Sequence, residues 1–341
     1  MVSGRGRING GIQNDGLIVA ESPDGSISLT DGLTQGPFGV LRAEPGGTLT
    51  LAEAFSGGEL DLQPGSIIAY EGSSVTLDKL KLTGTMPVPP GKSLYVGPDV
   101  IMDSVQVEAS NAGVVTSLLL TSGATIDGHI NLNGTLGALI FTELGVAGGS
   151  GQTLGEHASV VGRGRISGAL VNHGTLSPGN IEPAKAIGLF EIIAPHTLTS
   201  TAKINIQLVG PAPGQFDRLT GNTTLNLDGT LTIDYINGWV PQGNERLEII
   251  KGSAINGEFA EIIFSEKLSP TGPEQVFYTG NSVIVVMCYA DTTGDGTLTI
   301  DDFIAFQTNF AIGSKLADCD QDTLLSIDDF ICFQTLFAIG C

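Results

Sequence analysis

The chain has 341 residues, enough for one continuous core plus a small appended domain, with ordinary apolar content (41%), only 6% aromatics and a formal charge of −21. So acidic a balance excludes nucleic acid as a partner, because a polyanion would be repelled at every approach. No apolar run reaches the length of a membrane span, so no transmembrane segment is expected.

The first residues after Met1, VSGRGRINGG, contain no basic segment leading into an apolar stretch, so no secretory signal is expected within this sequence. They resemble the inside of a repeat instead. Gly4-Arg5-Gly6-Arg7-Ile8 returns as Gly162-Arg163-Gly164-Arg165-Ile166, and the Gly, Asn and Gly at 10, 14 and 16 return at 168, 172 and 174. The broken pattern predicts that residues precede Met1 in the natural protein.

Residues 1 to 287 read as short strands. Thr48-Leu49-Thr50-Leu51, Val75-Thr76-Leu77, Lys203-Ile204-Asn205-Ile206 and Thr230-Leu231-Thr232-Ile233 alternate polar and apolar residues, the period of a half-buried strand. Pro-Gly, Asn-Gly and Asp-Gly pairs punctuate them, at 45, 64, 90 and 178, at 9, 133, 237 and 256, and at 24, 31, 127 and 228. No segment of helical period separates the strands, which argues against βαβ units. Loosely spaced, self-similar strands favour a mainly β fold, a right-handed parallel β-helix in which each coil buries its apolar residues against the next.

The last 54 residues contain one unit written twice. Residues 290 to 313 return at 317 to 340 after 27 positions, each copy pairing an acidic loop with an amphipathic stretch. Counted from the first Asp, Asp291, Thr293, Asp295 and Asp302 fall at loop positions 1, 3, 5 and 12, as do Asp318, Asp320, Asp322 and Asp329. That is calcium-loop spacing, in which position 7 supplies a backbone carbonyl and position 9 holds a water. Thr297 and Leu324 would give the carbonyls, Thr299 and Ser326 would hold the waters, and two Ca2+ ions are expected. An Asp at position 12 is a methylene shorter than the EF-hand Glu, so the loops are variants. The first keeps Gly296 at position 6 but has Thr293 at position 3; the second has four carboxylates but Thr323 at position 6. Charge predicts tighter binding at the second. Phe303, Phe306 and Phe310, then Phe330, Phe333 and Phe337, recur at i, i+3 and i+7, predicting two helices that bury their phenylalanines against each other.

All four cysteines lie in this unit. Cys319 and Cys332 are replaced together in the first copy, by Thr292 and Ala305, as partners in one disulfide would be. Cys319 is therefore paired with Cys332, and Cys288 with Cys341 by elimination. The first closes a loop worth about 3 kcal/mol on the chain-entropy model, which helps a domain with so thin a core. With no His and no Cys-x-x-Cys in the unit, zinc is disfavoured. Disulfides and calcium loops together point to an oxidising exterior, secreted or at the cell surface. Nine aspartates against one lysine give the unit −8, leaving −13 for the rest.

Tandem loop-helix calcium units of this size, entered through Cys288-Tyr289-Ala290-Asp291 and ending in Gly340-Cys341, resemble the GC-type dockerin domains of secreted bacterial proteins. The resemblance covers 288–341 and implies noncovalent docking onto a cohesin-like receptor. It places the receptor contacts at loop positions 10 and 11, which here are Ile300-Asp301 and Ile327-Asp328. Gly162 to Asn180, followed by Phe216-Asp217-Arg218-Leu219, Leu227-Asp228-Gly229-Thr230-Leu231, Asn237-Gly238-Trp239 and Gly257-Glu258-Phe259-Ala260, resembles the final coils of autotransporter passenger-like β-helices.

Many β-helices act on polysaccharides, which requires paired carboxylates or an Arg or Lys base beside them on one face. Neither cluster is evident: Asp228 belongs to a turn, His129, His157, His173 and His196 are scattered and read as surface or coil-edge residues, and Trp239 reads as a cap over the solenoid end. The reading is a noncatalytic surface solenoid displayed by a calcium module. The alternative is a polysaccharide-active β-helix enzyme, or a fragment of one, carrying a dockerin, with an extracellular polysaccharide as partner.

Overall fold

A computed structural model describes all residues except 22–24, 109–114, 134–141, 148–151, 180–186, 242–244, 266–273, 321, 323 and 341. Asp24, Gly134, Asn180, Thr323 and Cys341, which figure in the sequence motifs, lie outside the described residues. Up to residue 264 the described strands pair in parallel with one another, those inside the stack with the strand one coil earlier and the strand one coil later. The chain is thus mainly β and winds as a solenoid-like stack.

Its core is built from rungs. On one face Ile18, Leu41, Leu60, Leu82 and Met102 lie in successive register, and beside them on the same face Met86, Val105, Ile130, Val160, Leu176, Ile204 and Leu231 form a second file. On a second face Leu94, Leu118, Leu144, Ile166 and Ile192 do the same. Their side chains are buried because alternation points every second residue inward, and parallel register sets each on its counterpart one coil away. Each fully buried aliphatic contributes about 1.5–3 kcal/mol relative to exposure. A third, six-stranded sheet runs from Thr125–Ile126 to Ala254–Asn256 and closes the later coils into a three-sided section.

The repeated GRGRI segments occupy equivalent corners. Gly4 and Gly162 have φ of +114° and +109°, and Gly10 and Gly168 have +94° and +97°. At Gly162 a Cβ would lie 2.1 Å from the Leu132 carbonyl oxygen, so only glycine lets the chain turn there. Asn14 and Asn172 each accept the amide of the glycine two residues on, at 3.0 and 2.9 Å, bending the chain into its next strand. The arginines are tied down: Arg7 pairs with Glu71 at 2.6 Å, Arg165 with Glu191 at 3.0 Å, and Arg163 donates to the Ile187 carbonyl at 2.7 Å. Asp217 of the FDRL motif is fully buried and accepts the amides of Gly188 and Gln207. Burial pushes its carboxyl up to about 8, against those two donors and Arg163.

The parallel stack ends in a hairpin. Gln275–Tyr278 pairs antiparallel with Ser282–Val286, which pairs antiparallel with Arg246–Lys251. Val276, Val283 and Val285 face the solenoid core, whereas Phe277, Ile284 and Val286 face a separate C-terminal core. Trp239 packs on the solenoid core beside Tyr235, with ring centroids 5.8 Å apart. No described helix is long and apolar enough to cross a membrane.

One expectation is corrected here. His196 is not a surface residue: it is 2% exposed, and it stands between Leu170 and Leu225 in an inward file. Alternation placed it inside, whatever its polarity. Among the described residues neither ring nitrogen finds a partner, and His196 lines a small cavity together with Ile192, Leu198, Leu219, Ile250 and one polar residue, Asn226. Burial alone pushes its pKa down to about 4. Between that value and the ordinary 6.5 the unfolded chain binds the proton that the folded chain refuses, so stability falls as pH drops through this window. The loss at the acid end should be on the order of 3 kcal/mol. Melting of wild type and His196→Leu from pH 7 to pH 4 is expected to show a steeper decline in wild type, and parallel declines would count against a histidine buried in the neutral form.

Candidate metal centre

The C-terminal unit contains helices α1 (Ile300–Ala311) and α2 (Ile327–Ile339). Each begins with the same device. Thr299 and Ser326 accept the amides of Asp301 and Asp328, while Asp302 and Asp329 accept the amides of Thr299 and Ser326 in return, both at 2.8 Å. These capping boxes satisfy helix-end donors and place acidic residues at the positive end of the helix dipole. Phe306 and Phe333 are fully buried and stacked, with centroids 4.1 Å apart and planes 4° from parallel; Phe303 and Phe330 meet edge to face at 5.9 Å. Leu298 and Leu325 close the same core from the loops.

The loop side chains are organised by their own backbone. Asp295 accepts the amide of Thr297 at 2.8 Å, and Asp322 that of Leu324 at 2.8 Å, so positions 5 and 7 form the same turn in both copies. Asp302 also accepts the Thr293 amide at 2.9 Å, and Asp329 the Cys319 amide at 2.7 Å, drawing position 12 over the start of each loop. A shorter side chain at position 12 thus still reaches the loop. Gly294 and Gly296 take φ of +68° and +88° in the first loop.

The two loops differ in how their carboxylates converge. Asp318, Asp320 and Asp322 each offer an oxygen within 4.8 Å of the others, the only such trio of candidate ligands among the described residues. Oxygens on a calcium sphere of about 2.3–2.6 Å radius lie no more than about 5 Å apart, so the trio fits that ion. The donors also fit in kind. Cys319 is joined to Cys332 in a disulfide with Cα atoms 5.9 Å apart, so no thiolate is present and only hard oxygen ligands remain. Cys288 is disulfide-bonded too, but Cys341, its expected partner, lies outside the described residues. In the first loop Thr293 occupies position 3 and hydrogen-bonds Asp302 through its hydroxyl at 2.9 Å, so that loop has three carboxylates, Asp291, Asp295 and Asp302, where the second has four.

Electrostatics follow this division. The Asp322 amide lowers the Asp320 pKa, but burial and the carboxylates of Asp322, Asp329 and Asp318 outweigh it and raise the net value. Asp291 is 2% exposed; burial raises its carboxyl, opposed by the amides of Gly296 and Asp295. Asp295 lies below the usual range because the Thr297 hydroxyl and amide bind its charged form. Tyr289 donates to the Leu316 carbonyl at 2.9 Å, and burial plus the charges of Asp329, Asp318 and Asp320 raise its phenol.

Ile300 and Ile327 are 67% and 68% exposed, with Asp301 and Asp328 exposed beside them. One turn on, Ile304 and Ile331 are also exposed, at 53% and 54%. Sequence reasoning missed the second pair, although its spacing of four from the first was readable. It also missed Arg246 and Phe277, which lie against the first loop from distant strands: Phe277 atoms begin 3.0 Å from where a Cβ of Gly294 would sit, and Arg246 atoms 3.2 Å from that of Gly296. No local signal marks either.

Asp329 ties loop, cap and disulfide together, since its oxygens hold Cys319 and Ser326 at once. Asp329→Ala should cost about 2–4 kcal/mol, more than a cap alone, because it leaves a buried amide unpaired. Denaturant melts of the full chain followed by the fluorescence of a label on the module would measure it, and a change below 0.5 kcal/mol would show that the carboxylate is dispensable.

No protein-family model matches this chain, and no curated protein matches it.

Proposed function

We propose that this chain is a noncatalytic, secreted or cell-surface β-solenoid displayed through a calcium-dependent, dockerin-like module. The observation that carries the reading is the convergence of Asp318, Asp320 and Asp322 at the entry to a capped helix, in a unit repeated with the same turns and caps. A right-handed coil completes the reading, since parallel crossovers take that hand almost without exception. Two Ca2+ ions are assigned, one to Asp291, Thr293, Asp295, Asp302 and the Thr297 carbonyl, the other to Asp318, Asp320, Asp322, Asp329 and the Leu324 carbonyl.

The assigned partner is a cohesin-like receptor contacting Ile300-Asp301 or Ile327-Asp328. Each pair sits at a helix start, apolar beside acidic and open to solvent, and the twofold repetition offers the receptor two equivalent footprints. Exposed large apolar side chains on so small a unit favour a protein partner.

Two measurements test this. Calorimetry on the full chain should show calcium binding, tighter at the second loop, so Asp320→Ala should weaken the tighter step by at least tenfold while Asp295→Ala affects the weaker one. Absence of calcium heat would end the reading. Pull-down of surface proteins in calcium should lose its partner when Ile300, Asp301, Ile327 and Asp328 are all replaced, and weaken modestly when one pair is; equal recovery would remove this surface from consideration.

A further inference from the structure

The first loop does not stand free of the solenoid. Arg246, in the strand Arg246–Lys251, places Nη1 3.9 Å from Asp291 Oδ2, with the Asp291 side chain 3% exposed and that of Arg246 30% exposed. The Arg246 side chain also fills the space beside Gly296, its Cδ 3.2 Å and its Nη1 3.5 Å from the position of a Cβ there. Phe277 of the terminal hairpin packs in the same way beneath Gly294. Two of the first loop's turns therefore rest on solenoid side chains, one of them a fixed cation.

We propose that Arg246 is an affinity-determining residue for the first cation site: its guanidinium acts as a built-in counter-charge to Asp291, weakens cation binding there, and couples loading of that loop to seating of the module on the solenoid. The inference rests on the calcium reading above and deepens it. A cation bound through Asp291 would stand a few ångströms from the guanidinium, and two positive charges at such separation repel. The contact is charge to charge, since 3.9 Å is too long for a hydrogen bond. The site therefore gains when the arginine is neutralised. Position 1 of the first loop is where a carboxylate is most needed, because Thr293 supplies none at position 3. The guanidinium thus adds to a weakness in the loop's own sequence, and it enters from residue 246, outside the repeat.

The test uses the full chain with Asp320 and Asp322 replaced by Ala, so that only the first site remains. In that background Arg246→Gln is expected to tighten calcium binding by roughly 3- to 10-fold, and Arg246→Lys, which keeps the charge, to stay within about twofold of the parent. In chelator, melting of Arg246→Gln, Asp291→Asn and the double variant in the otherwise wild-type chain should be non-additive, because either single change removes the same contact. Unchanged or weaker calcium binding in Arg246→Gln, with wild type binding normally, would overturn the role of Arg246 alone. Absence of calcium binding in wild type would overturn the functional reading and this inference with it, while additive melts would deny the contact itself.

Discussion

Rung-on-rung stacking of inward aliphatic side chains is the constraint from which the architecture follows. Parallel register puts Ile130 on Val160 on Leu176, and any slip by one residue would turn the file outward. The corners must then be as compact as the rungs are regular. That is why Gly162 stands where a Cβ would meet the Leu132 carbonyl, and why Asn14 and Asn172 close the same turn in coils far apart along the stack. Burial is imposed by position more than by residue type: Asp217 is accommodated by two amides, whereas His196 occupies an apolar file with no compensation among the described residues.

A stack of parallel coils ends in an edge, and an open edge invites pairing with another chain. At the C-terminal end the antiparallel hairpin 275–286 covers the edge strand Arg246–Lys251. Both faces of this hairpin are used, valines toward the solenoid and Phe277, Ile284 and Val286 toward the helical unit. Gln275 also donates to the Tyr289 carbonyl at 2.8 Å across the junction. The helical unit is therefore seated on the solenoid by apolar packing and hydrogen bonding together.

Charge divides the two loops where fold and repeat would make them equal. The second concentrates three carboxylates, whose mutual repulsion is the state a hard cation relieves. The first loop carries three carboxylates in all against four in the second, and Asp291 faces Arg246. On this reading the repeat supplies two copies of one geometry, and the surroundings make them unequal.

Much of this was determined by sequence alone. Loop spacing, the phenylalanine stripes, the alternation of the strands and the paired absence of Cys319 and Cys332 from the first copy are local or repeated patterns, legible because helix, strand and loop geometry are short-range. The helices and their buried faces lie where the spacing put them, and Cys319 bonds Cys332. Tertiary structure decided which rung lies on which, that His196 is inside, that Thr299 and Ser326 act as helix caps, and that Arg246 and Phe277 meet the first loop. Except for the caps, which are local contacts three residues apart, those facts depend on coil lengths summed along the chain: Val160 pairs with Leu176, but Leu176 pairs with Ile204, and nothing local announces the difference. Register is a long-range quantity, set by the best burial of every coil at once.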